Sequence, residues 1–185
     1  GQEPAPLDQG LAPRVRQMEA YAQVTGRDQV EYTTPSEREG LALTVQQALD
    51  QGAAFDIIRG VASQSMSLPG DARQRTNQIM REIVGPAGPE FTAMASVYIR
   101  GGEPSVANAR TMENAIRARR VQGYERPRPD NARGLDDEVF ANSLGRDFLQ
   151  STSPQELAEI RMAADLIFEG RALTDRGIYS DSQSF

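Results

Sequence analysis

Residues 85–102, GPAGPEFTAMASVYIRGG, contain the pattern that decides the fold of this chain. A Gly/Pro cluster breaks the backbone, Pro89 then fits the first turn of a helix, and Gly101-Gly102 can end that helix. Between these breaks, apolar side chains recur three or four residues apart: Phe91, Met94, Ala95, Tyr98 and Ile99. This spacing places them on one face of an α-helix, so the stretch predicts a short amphipathic helix bounded by turns.

Helix-start signals recur along the rest of the chain. Residues 34–37 (TPSE) and 153–156 (SPQE) each place a hydroxyl side chain three positions before a glutamate, which is the signature of a capping box. Asp71 is predicted to cap a third helix through its carboxylate. Residues 29–33 (QVEYT) resemble a β-strand, but they are short and isolated. We therefore predict an all-α fold of about eight short-to-medium helices joined by Gly/Pro turns, arranged as an irregular bundle or as stacked helical hairpins.

The sequence predicts one helical region between two polar ends. We expect an extended arm over residues 1–12, a single helical domain over residues 13–170 and a polar tail over residues 171–185. The Pro-rich loop at residues 122–134 offers a second boundary within that domain. Gly170 is predicted to end the last helix. The inward positions of the helical stripes predict a set of buried side chains: Leu41, Leu49, Ile58, Ile83, Ile99, Ile116, Leu157, Ile160 and Phe168.

The composition excludes several kinds of active site. The 185 residues include 20 arginines but no lysine, histidine or cysteine. A catalytic triad with histidine, a thiolate nucleophile, a Schiff-base lysine and a lysine-containing phosphate loop are therefore ruled out. The acids at residues 136–138 are consecutive, so their carboxylates diverge and are poorly placed to bind a metal. We predict no catalytic residue, no metal and no cofactor, while chemistry based on carboxylates, serine and arginine stays open.

Residues 110–133 form a basic segment in an otherwise acidic chain. They carry seven arginines and three acids, whereas the regions before and after them have net charges of −4 and −6. The whole chain carries −6, which argues against general binding to nucleic acid because the phosphates would be repelled. We predict that a partner-binding surface lies in the basic segment and consists of Arg117, Arg119, Arg120, Tyr124, Arg126 and Arg128.

Two interpretations of the basic segment stay open at this point. Guanidinium groups suit a binding surface because they form planar, bidentate hydrogen bonds and are weakly hydrated. The prolines of residues 126–129 restrain that stretch, so docking it requires little further ordering. The alternative is an internal role, in which arginines near a helix end offset the helix dipole and others pair with the acids of residues 134–185.

These observations favour a non-catalytic helical protein that acts through protein–protein contacts in a multi-subunit assembly, such as a phage particle or another large bacterial complex. One alternative is a secreted bacterial effector domain that binds a host protein, because a chain without lysine lacks the amine to which modifier proteins are attached. A genome that prefers arginine codons explains the missing lysine more simply. A second alternative is a toxin or enzyme domain using carboxylate, serine and arginine chemistry.

The sequence shows no apolar run long enough to span a membrane and no visible signal peptide. We therefore expect a protein of the virion or of the bacterial cytoplasm. For the effector alternative, the expected location is the cell into which the protein is delivered.

Overall fold

The computed structural model describes residues 10–27, 30–101, 105–125, 150 and 152–175. Within these residues the chain forms helices joined by turns and contains no β-strand, so the predicted all-α class is confirmed. The seven α-helices of the described residues, close to the predicted eight, are α1 Leu11–Thr25, α2 Pro35–Asp50, α3 Ala54–Met66, α4 Ala72–Val84, α5 Pro89–Arg100, α6 Ser105–Arg119 and α7 Pro154–Asp175. A 3-10 turn, Gly85–Ala87, joins α4 to α5.

The chain divides into two compact units. The N-terminal unit comprises residues 1–95 and the C-terminal unit residues 96–185, with the boundary inside α5. The predicted arm and tail lie mostly outside the described residues, so the division into arm, domain and tail stays a prediction. α1 begins at Leu11 and follows Gly10, whose φ of 98° lies in the region that glycine adopts without strain.

Three predicted helix starts are confirmed. At α2, the Thr34 hydroxyl accepts from the Glu37 N–H at 3.3 Å, and the Glu37 carboxylate accepts from the Thr34 N–H at 2.8 Å. The same reciprocal pair links Ser153 and Glu156 at α7, at 3.2 and 3.1 Å. Asp71 accepts a backbone N–H at the start of α4. These bonds satisfy N–H groups that have no partner within the helix.

The core of the N-terminal unit is formed by α1 to α4. α3 packs against each of the other three helices, and α2 also packs against α4. Because the apolar stripes of these helices face one another, the largest apolar side chains are almost completely buried: Leu49, Phe55, Ile58, Ile79 and Met80.

Two arginines are also buried in this unit, and each is held by acceptors from other elements. Arg14 of α1 donates to the Glu37 carboxylate at 2.6 and 3.1 Å, and to the Tyr32 carbonyl at 3.2 Å. Arg75 of α4 donates to the carbonyl oxygens of residues 68 and 69, both at 2.8 Å, just beyond the end of α3. The two guanidinium groups therefore fix loops against helices.

In the C-terminal unit, α6 packs along α7, and Gly170 marks their closest approach. A β-carbon built at Gly170 would lie 2.6 Å from Cγ2 of Thr111 and closer still to the carbonyl oxygen of that residue. Glycine alone avoids this overlap, because it has no β-carbon. The prediction that Gly170 ends the helix is therefore wrong: α7 continues to Asp175, and Gly170 serves the packing of two helices.

The predicted core was identified only in part. The predicted side chains found buried are Leu49, Ile58, Ile83, Ile99 and Ile116. Leu41, Leu157 and Ile160 are only half-buried, and Phe168 is 42% exposed, so these four predictions are wrong. The buried face of α7 instead contains Ala163, Leu166, Glu169, Gly170 and Leu173. Because α6 approaches α7 so closely, part of this face consists of small residues, and larger side chains lie beside it.

Candidate functional site

The structure describes four of the six residues predicted for the partner-binding surface. Arg117 and Arg119 lie in the last turn of α6, and Arg120 begins the turn that follows. Gly123, with a φ of 79°, allows the backbone to reverse before Tyr124. Arg126 and Arg128 lie outside the described residues. The predicted surface as a whole therefore stays a prediction.

A buried carboxylate organises this end of α6. Glu169 of α7 is 0% exposed. Arg119 donates to it through Nη2 at 2.6 Å and through Nε at 3.1 Å to each carboxylate oxygen. The Tyr124 hydroxyl donates to Oε1 of the same carboxylate at 2.8 Å. One buried acid thus holds the last residue of α6 and the residue that follows its turn.

The electrostatics of this contact stabilise the charged state of Arg119. Hydrogen bonding to Glu169 raises the pKa of the Arg119 guanidinium, and this effect outweighs the opposing effect of burial. The negative charges of Glu169 and Asp165 act in the same direction. Arginine suits this position because its planar group reaches both carboxylate oxygens at once. The pair is therefore a fixed connection between α6 and α7.

A second buried acid of this unit is also paired with an arginine of the basic segment. The Glu113 side chain is 2% exposed, and Arg110 donates to its carboxylate at 3.0 Å from three residues earlier on α6. Burial of an unpaired carboxylate is strongly unfavourable, so this contact has a clear structural role. Arg110 and Arg119 thus fit the internal interpretation of the basic segment. The binding role predicted for Arg119 and for the other residues of the surface stays a prediction.

The outer side of the same turn is exposed. Arg120 is exposed, and Val121 has 61% of its surface accessible although it is apolar. Both lie between Arg119 and Tyr124, which Glu169 holds from inside. The turn therefore presents a cation and an apolar side chain from a backbone that is anchored on both sides.

Sequence reasoning named Arg119 and Tyr124 but not the acid that binds them. Glu169 lies on the buried face of α7 between Leu166 and Leu173. An acid at an inward helical position, three residues after one leucine and four before another, is the signal that could have identified it. That pattern predicts that Glu169 is buried, but it does not identify its partner Arg119, which lies 50 residues earlier in the chain.

Among the residues that the structure describes, no group of three or more acidic side chains is arranged to hold a metal ion. None of the helices in that part of the chain is both long and apolar enough to cross a membrane. No protein-family model, curated protein or solved structure matches the chain.

Proposed function

We propose that this protein acts by binding other proteins, as a non-catalytic helical component of a multi-subunit assembly such as a phage particle or another large bacterial complex. The exposed turn after α6, with Arg120 and Val121, takes part in that contact. The observation that carries the proposal is the anchoring of this turn by Glu169, which binds Arg119 on one side and Tyr124 on the other.

Anchoring matters because association is opposed by the loss of conformational freedom. A turn that is already fixed loses little entropy when a partner binds, so more of the contact energy becomes affinity. Arginine is enriched where interfaces concentrate their binding energy, and an adjacent exposed apolar side chain adds area that water leaves on binding. Arg126 and Arg128, which lie outside the described residues, stay predicted contact residues.

The charge distribution supports assembly as the setting. The basic segment carries +4, and the residues after it carry −6. A basic surface of one copy and an acidic surface of another are complementary, and contacts between different surfaces generate rings or filaments. Such contacts weaken as salt screens the charges.

The test is the state of association of the protein. We expect sedimentation velocity to show oligomers of the purified chain, or particles that carry it in extracts of the native source. Arg120→Glu should weaken this association by about tenfold or more, because it reverses a contact charge. The matched control is Arg59→Glu, at an exposed arginine of α3 in the other unit.

Thermal unfolding separates a lost contact from a lost fold. The Arg120→Glu chain should melt like the native chain, since Arg120 is exposed. The assembly proposal would be contradicted by a monomer both in the purified protein and in extracts of the native source. Equal effects of Arg120→Glu and Arg59→Glu on association would also contradict it. A stable monomer would instead favour the secreted effector alternative.

A further inference from the structure

The N-terminal unit contains an open cleft of about 320 Å³. Val30 and Glu31 line it from the segment before α2, Arg38 from α2, and Gln78, Arg81 and Glu82 from α4. Three separate elements thus converge on one cleft, and the volume is at the lower end of the range of about 300–1,000 Å³ that is typical of ligand sites.

The wall of the cleft is held together by Glu82. The Oε2 atom of this carboxylate accepts from the N–H groups of Tyr32 and Thr33 at 2.8 and 2.9 Å, and from the Thr33 hydroxyl at 2.8 Å. The Glu82 side chain is 11% exposed. This carboxylate is consequently part of the frame, and it fixes the segment before α2 against α4.

Arg38 and Gln78 each keep a hydrogen-bonding group that the described residues do not use. Arg38 donates from Nε to the Thr33 hydroxyl and from Nη2 to the Thr33 carbonyl, both at 3.0 Å, whereas its Nη1 has no hydrogen-bond acceptor among the described residues. Gln78 donates through Nε2 to the Val30 carbonyl and to Glu82, whereas its Oε1 accepts no hydrogen bond from that part of the chain. The cleft lining therefore includes one unused donor and one unused acceptor on side chains that are otherwise fixed.

The charges of the cleft select the class of ligand. Arg38 and Arg81 are offset by Glu31 and Glu82, so the lining carries no net charge and favours neither a free anion nor a free cation. A peptide backbone is neutral and offers the complementary pair, a carbonyl for Nη1 of Arg38 and an N–H for Oε1 of Gln78, because an extended residue presents its own carbonyl and N–H on the same side. Val30 and Pro86 offer apolar surface beside this pair.

We propose that this cleft binds a short peptide segment of a protein partner, about two or three residues long in view of its volume. The carbonyl of one extended peptide residue accepts from Arg38, and the N–H of the same residue donates to Gln78. An apolar side chain of the peptide packs on Val30 and Pro86. This inference goes beyond the function proposed above, because it concerns a second contact in the other unit and involves no residue of the basic segment.

The test uses the full chain and a phage-displayed library of random heptapeptides. Library peptides that bind the Arg38→Lys variant, which keeps the charge but lacks the Nη1 donor, are removed first. Peptides that bind the native chain are then selected from the remainder. A selected peptide is then synthesised and titrated into isotope-labelled native chain by NMR. We expect the backbone signals of Val30 and Glu31 and the side-chain amide of Gln78 to shift. Affinity should fall about tenfold or more in Arg38→Lys, because lysine lacks the Nη1 donor and also the Nε and Nη2 bonds that fix the side chain on Thr33.

The matched control is Arg59→Lys, which changes an exposed arginine that does not line the cleft and should leave affinity unchanged. Shifts mapped on the native chain decide the question even where a variant folds poorly. Failure to enrich any peptide, equal affinity in the native chain and Arg38→Lys, or shifts confined to other residues would overturn the proposal. Inorganic phosphate that shifts the same signals and displaces the peptide would also overturn it, since the cleft would then be an anion site.

Discussion

Each unit contains an Arg–Glu pair with a closest N···O distance of 2.6 Å, but the buried partner differs. In the N-terminal unit, the Arg14 side chain is 1% exposed and Glu37 is 29% exposed. In the C-terminal unit, the Glu169 side chain is 1% exposed and the Arg119 side chain is 33% exposed. The two pairs thus have opposite polarity, with a buried cation in one and a buried anion in the other.

This difference determines which substitution leaves a buried charge without its ionic partner. Removing the more exposed partner leaves the buried charge in place, which is strongly unfavourable, whereas neutralising the buried partner leaves a charge that can turn to water. Each buried group also has an uncharged hydrogen-bond partner. Arg14 donates to the Tyr32 carbonyl, and Glu169 accepts from the Tyr124 hydroxyl. The comparison therefore predicts asymmetric effects within each pair.

Replacing Arg119 with methionine should have the largest effect. The Glu169 carboxylate stays buried, with Tyr124 still donating to it. Breaking a buried pair costs about 3–5 kcal/mol, and we expect the lower end because Arg119 is partly exposed. Glu169→Gln should cost only about 1 kcal/mol, since no charge stays buried. Urea unfolding of the full chain measures the free energy of unfolding of both variants, with Arg120→Met as the control. Equal losses in Arg119→Met and Glu169→Gln would contradict the predicted asymmetry of the pair.

Gly170→Ala should destabilise the C-terminal unit by about 2 kcal/mol, within the range for overpacked cores, because the added β-carbon overlaps Thr111. The matched change is Gly60→Ala in α3, where a β-carbon meets nothing within 4 Å. That change should stabilise the N-terminal unit by up to about 1 kcal/mol through helix propensity. Thermal unfolding measures whether each substitution raises or lowers the stability. A stabilising effect of Gly170→Ala would show that α6 and α7 approach less closely than described.

Glu37→Gln tests the N-terminal pair through its dependence on pH. The hydrogen bond from Arg14 is the main cause that lowers the pKa of Glu37 in the folded chain. Such a carboxyl stabilises the fold above its unfolded pKa of about 4.3 and loses this contribution as pH falls through the folded value. We expect a loss of about 1.5 kcal/mol at neutral pH, less than for Arg119→Met because the glutamine amide still offers Arg14 a carbonyl acceptor, and a smaller difference from the native chain below about pH 4.

The control for this pH profile is Glu39→Gln, at an exposed acid on the same helix. Its difference from the native chain should stay small at every pH. A Glu37→Gln difference that is constant from neutral to acidic pH would show that the ion pair with Arg14 does not stabilise the fold.

The caps should give the smallest effects and sharpen the same contrast. Loss of a helix cap costs about 0.5–2 kcal/mol. Ser153→Ala should lie near the lower value because the Ser153–Glu156 box is exposed. Thr34→Ala should cost more, about 1 kcal/mol, because Glu37 in that box also binds the buried Arg14. Chemical denaturation measures the loss of stability in both variants. A larger loss for Ser153→Ala than for Thr34→Ala would show that the N-terminal cap is not coupled to the Arg14–Glu37 ion pair.

The features predicted correctly from sequence are local. The capping boxes join residues only three positions apart, so TPSE and SPQE contain both partners of each bond. Turns at glycine and proline follow from the backbone preferences of single residues. Helix starts and the all-α class could therefore be predicted before any packing was known.

The features that were missed depend on residues distant in sequence. The role of Gly170 is set by Thr111, and the role of Glu169 by Arg119, each more than 45 residues earlier. The apolar stripe of the helix predicts that Phe168 is buried, whereas the close approach of two backbones favours small residues at the contact. For the candidate site, the sequence indicated the arginines and Tyr124, whose binding role stays a prediction, but it did not indicate Glu169, the buried acid that binds Arg119 and Tyr124.

Arg75 has a consequence for how this sequence can change over time. Its Nη1 and Nη2 donate to three backbone carbonyls, those of Ser65, Leu68 and Pro69, from a side chain that is 4% exposed. A lysine ammonium carries its donors on one atom and cannot span these acceptors. In related chains from genomes that favour lysine codons, we expect lysine at exposed positions such as Arg59, while position 75 stays arginine. Base composition can thus set the surface cations, but the geometry of the α3–α4 turn sets this buried one.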